Sequence, residues 1–242
     1  MRASGGPEGP SSAGSDSRLA SAPQQFVRPR GAAGAITGWV LRLFNAGLNR
    51  RAVEALALTP QMRVLEIGFG PGHALSMLSR RLPQGGVSGL DPSAVMMRQA
   101  RRRNREALQA GRLDLREGTA DHLPWAEGSF DAVLSLNNVL FWRPLEGSLR
   151  EIRRVLLPGG TCLIGLHGAA ARVFTRAGSR AFLEVDRYLL PAFDRADLPL
   201  RGRREVRTGT GRGVFYFLQK PAAPPSAGPA PGRPGDPVTD GP

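Results

Sequence analysis

Apolar residues along the chain follow two rhythms that take turns. Short runs at Val64-Leu65-Ile67, Val87–Leu90, Leu113–Glu117, Phe130–Leu136 and Thr161–Leu166 have the length and composition of buried strands. Between them, apolar positions return at helical spacing. Leu75, Leu78 and Leu82 mark a helix over Ala74–Leu82; Ala94, Met97, Ala100 and Leu108 mark another over Pro92–Ala110, and a third covers Pro144–Leu157. Pro83-Gln84-Gly85-Gly86, Gly111 and Pro158-Gly159-Gly160 punctuate the alternation as turns or breaks. Strand-helix-strand repetition of this kind predicts an α/β fold, a doubly wound and mostly parallel sheet with helices on both faces and right-handed crossovers.

Either side of this region the pattern changes. Ile36 to Leu58 reads as one or two amphipathic helices, with Ile36, Val40, Leu43 and Phe44 on one face, and Thr59-Pro60 ends them. This predicts a helical cap over residues 32–58, packed on the core near the mouth of the site. After His167, Ala169–Leu190 reads as helix, and Arg204–Thr208 with Gly213–Gln219 as an antiparallel hairpin. The segments 1–25 and 221–242 are rich in Gly, Pro, Ala and Ser with few large apolar residues, which predicts disordered tails around one domain over 26–220.

The candidate chemistry gathers where strands end. Arg63–His73 reads RVLEIGFGPGH: a strand, then Gly68, Gly70 and Gly72, then a helix. Such a turn lets backbone N–H groups at a helix N-terminus approach a ligand with no side chain between. Asp91 closes the second strand 19 residues after Gly72, a spacing at which a carboxylate can accept from both hydroxyls of a ribose. Thr119-Ala120-Asp121 follows the third strand and Asn137-Asn138 the fourth. Open parallel sheets bind ligands beyond these carboxyl ends, at the point where strand order reverses, so a nucleoside-containing cofactor is expected.

The glycine spacing separates the possible cofactors. A dinucleotide fingerprint would read G-x-G-x-x-G, whereas here Glu66 lies inside the strand and the glycines fall at 68, 70 and 72, with His73 in place of a further glycine. This E-x-G-x-G-x-G run resembles the first motif of the class I S-adenosylmethionine-dependent methyltransferases. The resemblance continues through Leu90-Asp91-Pro92-Ser93, through Gly118–Pro124 followed by Gly128–Asp131, and through Leu149–Ile152 to Val155–Gly160. It covers about Val64–Leu166, and the chain is similar to the small stand-alone members typified by the ubiquinone and menaquinone methyltransferases.

That resemblance implies a Rossmann-like, seven-stranded sheet with a C-terminal antiparallel hairpin, and S-adenosyl-L-methionine as cofactor. It implies that the turn of Gly68, Phe69, Gly70 and Gly72 lies against the amino acid and ribose of the cofactor, with Glu66 organising the turn. Asp91 would hold the ribose hydroxyls, while Pro92 and Ser93 border the adenine. Thr119 stands where the family often has an acid, its hydroxyl accepting from the adenine amino group, with the Ala120 N–H facing the ring. Asn137 would sit near the reactive methyl.

Composition modifies this picture only at the margins. The net charge is +13, but Lys220 is the only lysine and the other 32 basic residues are arginines spread over several segments, which reads more as solvated helix faces than as one phosphate-tracking groove. The lone cysteine, Cys162, falls in a strand and reads as structural. His73, His122 and His167 lack the spacing of a metal cluster, and no metal is expected; they are the titratable candidates for a general base, none with a partner visible in sequence. Trp125, Phe141 and Trp142 are open between core and substrate-pocket wall. No segment approaches the roughly 18 apolar residues needed to span a membrane, and no leader is evident, so a cytoplasmic protein is expected.

The acceptor is narrowed by what is missing. Base N-methylation in this superfamily uses an N/D/S-P-P-Y/F/W motif after the fourth strand, where this chain has Ser135-Leu136-Asn137-Asn138-Val139. Cytosine C5 methylation needs a loop cysteine. A small-molecule acceptor is therefore the leading expectation. A nucleic-acid methyltransferase and a cofactor-binding protein without catalysis are the alternatives, the last suggested by a short C-terminal part.

Overall fold

The computed structural model describes residues 46–175 and 180–222. The terminal tails apart from Pro221 and Ala222, and the cap before residue 46, lie outside them. Seven strands form one sheet: β1 (Arg63–Ile67), β2 (Gly86–Asp91), β3 (Leu113–Glu117), β4 (Phe130–Leu136), β5 (Leu156–His167), β6 (Leu200–Thr208) and β7 (Gly211–Gln219). Their order is β3-β2-β1-β4-β5-β7-β6. β1 to β5 run parallel, and β7 is antiparallel to both β5 and β6. The chain winds outward from β1 to β3, then crosses back to lay β4 on the other side of β1. The order reverses between β1 and β4, and the glycine turn leaves the sheet at that point.

Helices cover both faces. On one side lie α1 (residues 46–55), α2 (His73–Arg81), α3 (Ala94–Arg103) and α4 (Arg105–Gln109); on the other lie α5 (Leu145–Val155), α6 (Gly168–Thr175) and α7 (Ala181–Arg195). Alternation along the strands feeds two cores. Val64, Val87, Leu134 and Leu163 pack with Leu48, Leu75 and Leu78 on the first face, while Leu65, Val133, Cys162 and Ile164 pack with Leu149, Ile152 and Val185 on the second. Cys162 is fully buried, as its place in a strand predicts. Trp142 is buried in the second core and falls on the core side of its alternatives, while Trp125 and Phe141 are half-buried and pack against that core.

Four expected boundaries need correction. The helix read over Pro92–Ala110 is two, because Asn104 turns its amide inward and leaves helical geometry (φ −109°, ψ 27°). Pro158-Gly159-Gly160 does not break the chain: β5 continues through it as an irregularity. The register jumps from Phe130↔Leu156 to Ala132↔Thr161, Gly159 takes φ 78°, and backbone bonds to Lys220 hold the bulge. The segment after His167 holds two helices, and the residues between them, 176–179, lie outside the described set. The hairpin is longer than predicted, with β6 starting at Leu200 and β7 at Gly211.

Candidate functional site

The three glycines of the turn have left-handed backbones, with φ of 71°, 52° and 79° at Gly68, Gly70 and Gly72. Their surroundings differ. A Cβ on Gly68 would lie 2.1 Å from Asn138 Nδ2, and one on Gly72 2.6 Å from Asn104 Nδ2, so both positions are glycine for packing as well as for conformation. A Cβ on Gly70 would meet nothing within 4 Å. Gly70 is where the turn faces open space. Phe69 turns the opposite way: its side chain is buried beneath Gly89, and only its backbone belongs to the turn.

Asp91 links the two loops that flank this space. Its Oδ2 accepts from the Gly70 N–H at 2.8 Å and its Oδ1 from the Ser93 N–H at 2.9 Å, while Ser93 Oγ caps α3 by accepting from the Met96 N–H. Burial pushes the Asp91 carboxyl up to about 6; the two N–H donors oppose the rise and the Glu117 charge adds to it. Glu66, one β1 residue before Ile67, is buried below the turn. Burial, with Asp91 adding, holds its carboxyl well above the ordinary range against the Leu75 N–H at the start of α2. Its Oε2 has no hydrogen-bond partner. A buried carboxyl oxygen left open under a turn that faces free space is available to a ligand.

The remaining wall comes from the loops after β3 and β4. Thr119 is exposed and Ala120 buried, and the loop beyond them is fastened where Glu151 accepts from the Leu123 N–H at 2.9 Å. Pro92 is half-buried after β2. Asn137 has φ 60°; its N–H donates to the Gly165 carbonyl and its Oδ1 accepts from the His167 N–H at 2.6 Å. The expected residues Glu66, Gly68, Gly70, Gly72, Asp91, Pro92, Thr119, Ala120 and Asn137 thus share one edge of the sheet, along with the Phe69 backbone.

The positioning roles of two residues went unread in the sequence. Asn138 donates from Nδ2 to the Ile67 carbonyl at 2.5 Å and accepts at Oδ1 from Ser135 Oγ, stitching the β4 loop to the start of the glycine turn. Asn104 donates to the Gly72 carbonyl, and beside it Arg103 Nε donates to the Pro71 carbonyl at 3.0 Å. An asparagine in the interior of a predicted helix is the available signal, since its amide competes for backbone groups. His167, a candidate base, is otherwise engaged: Nδ1 accepts from the Ala169 N–H, so the network places the proton on Nε2, facing the Thr208 and Thr210 hydroxyls at 3.1 Å each. Among the described residues no group of three His, Cys, Asp or Glu is placed to hold a metal ion.

A family model described as a methyltransferase domain matches residues 64–160. The uncharacterized methyltransferase YdaC of Bacillus subtilis (strain 168) is 30% identical over 129 residues, which are 53% of this chain and 69% of that protein. The chain belongs to the class I S-adenosylmethionine-dependent methyltransferases. The demethylmenaquinone methyltransferase of Thermus thermophilus is 34% identical over 125 residues, 50% of this chain and 55% of that one, so this methyltransferase spans about half the length of that relative. In fold it resembles a methyltransferase solved with the Haloferax volcanii Trm112 methyltransferase activator, with a TM-score of 0.66 at 20% identity, covering 81% of this chain and 98% of that one.

The methyltransferase cradle fits the family's cofactor, S-adenosylmethionine. The open face at Gly70 leaves room for close backbone approach, the Asp91 carboxylate suits ribose hydroxyls, and the unpartnered Glu66 Oε2 lies beneath. When bound, the cofactor supplies a methyl group already activated on sulfonium.

Proposed function

We propose that this methyltransferase transfers the methyl group of S-adenosylmethionine to a small-molecule acceptor by in-line displacement. In this reading the Gly68–Gly72 backbone lies along the amino acid and ribose, over Glu66, and Asp91 accepts from the ribose hydroxyls. Pro92, Thr119 and Ala120 border the adenine, and Asn137 stands beside the methyl group. No nucleophile has to be built. Holding the acceptor atom in line at attack distance contributes on the order of 7–11 kcal/mol to the rate.

The observation that supports a small acceptor most directly is a hollow at the same edge of the sheet. A cavity of about 250 Å³ opens against His167 and Gly168, and His167 is one hydrogen bond from Asn137. A hollow of that size suits a small molecule better than a polymer. The Thermus thermophilus relative, named for a quinone substrate, agrees in class. Radiolabelled methyl transfer into a cell extract tests the proposal: label is expected in the small-molecule or lipid fraction, and label confined to RNA or protein overturns it. RNA is the second reading, favoured by the net charge of +13 and the exposed Arg201, Arg204 and Arg207 on β6. Its mark would be an RNA affinity that collapses with added salt.

A further inference from the structure

Four elements begin or end around the hollow beyond β5. β5 finishes at His167, α6 starts at Gly168, α7 at Ala181 and β7 at Gly211. Because β5 runs parallel to β1 and β4 while β7 runs against it, all four junctions lie at the edge from which the glycine turn emerges. Asn137 connects the two places through its bond from the His167 N–H.

The walls carry one sign of charge. Arg172 of α6 and Arg212 of β7 both line the cavity, and among the described residues no carboxylate does. Among the described residues no carboxylate comes within ion-pair distance of Arg172. Among the described residues Arg212 pairs with Glu205 at 3.9 Å, with its own side chain 72% exposed, so that pairing contributes little. His167 adds no charge of its own, because burial and the neighbouring Arg172 push its pKa down and its ring bonds fix a neutral tautomer. Gly168 sits tightly among these groups: a Cβ there would stand 3.0 Å from the Arg212 carbonyl, 3.4 Å from the Phe182 ring and 3.5 Å from Arg172 Nη1. Ala181 and Phe182 add an apolar surface to the lining.

Two arginines and an apolar surface lining one cavity make a receptor for a small molecule with an oxyanion at one end and a hydrocarbon body. We propose that this cavity binds the acidic end, carboxylate or phosphate, of the methyl acceptor, holding it at Arg172 and Arg212 so that the rest of the molecule extends past Asn137 toward the methyl donor. The inference rests on the small-molecule reading above and deepens it: the substrate is an acid or a phosphate ester. A neutral quinone would leave both arginines unmatched.

Calorimetry on the full chain saturated with S-adenosylhomocysteine tests this, with octanoate, octyl phosphate and 1-octanol as probes. At least one of the two anions is expected to bind tenfold or more tighter than the alcohol, and the tighter of the two names the oxyanion. Arg172→Gln and Arg212→Gln are each expected to weaken that anion at least tenfold while leaving S-adenosylhomocysteine affinity within twofold. Equal binding of anion and alcohol, no binding of either anion, or wild-type affinity in both variants overturns the inference and leaves the methyltransferase reading intact. Failure of the chain to bind S-adenosylhomocysteine at all overturns both.

Discussion

Asn104 donates from one amide nitrogen to the Gly72 carbonyl at 3.1 Å and to the Ala100 carbonyl at 2.9 Å, so a single side chain ends α3 and fixes the last glycine of the turn. The turn is held from outside as well as by its own conformation. Asn104→Ala would leave the Gly72 carbonyl without that donor, at a cost of about 1–3 kcal/mol, or roughly 2–4 °C in Tm for each kcal/mol in a chain of this size. The sharper expectation concerns the cofactor. With the turn free to shift, the Kd for S-adenosylmethionine should rise several-fold by calorimetry even at temperatures where the variant is fully folded. A lower Tm with an unchanged Kd would show that Asn104 serves the helix alone.

Gly68 and Gly70 have the same backbone hand and should respond differently to alanine. Each substitution pays about 1–2 kcal/mol for a side chain in left-handed geometry. At Gly68 the new methyl also collides with Asn138 Nδ2 and displaces it from the Ile67 carbonyl, so the total loss should reach about 3 kcal/mol. At Gly70 the methyl enters open space, so Gly70→Ala should fold nearly normally yet lose at least tenfold in cofactor affinity. Thermal unfolding and calorimetry on the two variants separate the effects, and tight S-adenosylmethionine binding by Gly70→Ala would remove Gly70 from the site.

How much of this was legible in the sequence depends on the range of the force involved. β3 and β4 match their predicted residues because short apolar runs between turn signals are local patterns. The glycine turn and Asp91 were legible for the same reason, since spacing along the chain places them at the ends of adjacent parallel strands. Asn104, Asn138 and the bulge at Gly159 were not, because each answers to a partner far along the chain: Gly72, Ile67 and Lys220. Nothing local shows that Asn104 will leave a helix to reach a carbonyl 32 residues earlier. The cavity beyond β5 is harder still, as its arginines come from a helix and a strand that meet only once the hairpin has closed.

Cys162 supplies a check on the central strand. It is fully buried in β5, and desolvation pushes its thiol far above the ordinary range. It should resist a disulfide reagent at pH 8 in the native protein and react only at the rate of global opening. Titration of one thiol appearing in step with loss of circular dichroism in urea is the expected result, while rapid labelling of the folded protein would contradict the packing of β5 against β4 and β7.

Asp91 links pH to both folding and binding, with opposite signs. Its folded pKa of about 6 lies above the value of about 3.9 for an unfolded aspartate, so between those pH values the folded chain holds a proton that the unfolded chain has lost. The stabilisation from that proton is fully present below about pH 4 and is lost as pH rises through 6, and the full shift corresponds to about 3 kcal/mol. Glu66, raised by burial in the same direction, adds to the trend with the same sign. The cofactor-free protein should therefore lose Tm between pH 5.5 and 7.5. Ribose hydroxyls donate best to an ionised acceptor, so S-adenosylmethionine affinity should rise severalfold over the same interval. Asp91→Ala should flatten the part of each slope that centres near pH 6. Differential scanning calorimetry with and without cofactor at the two pH values reads both effects in one series, and slopes of the same sign would mean that Asp91 does not receive the cofactor as a carboxylate.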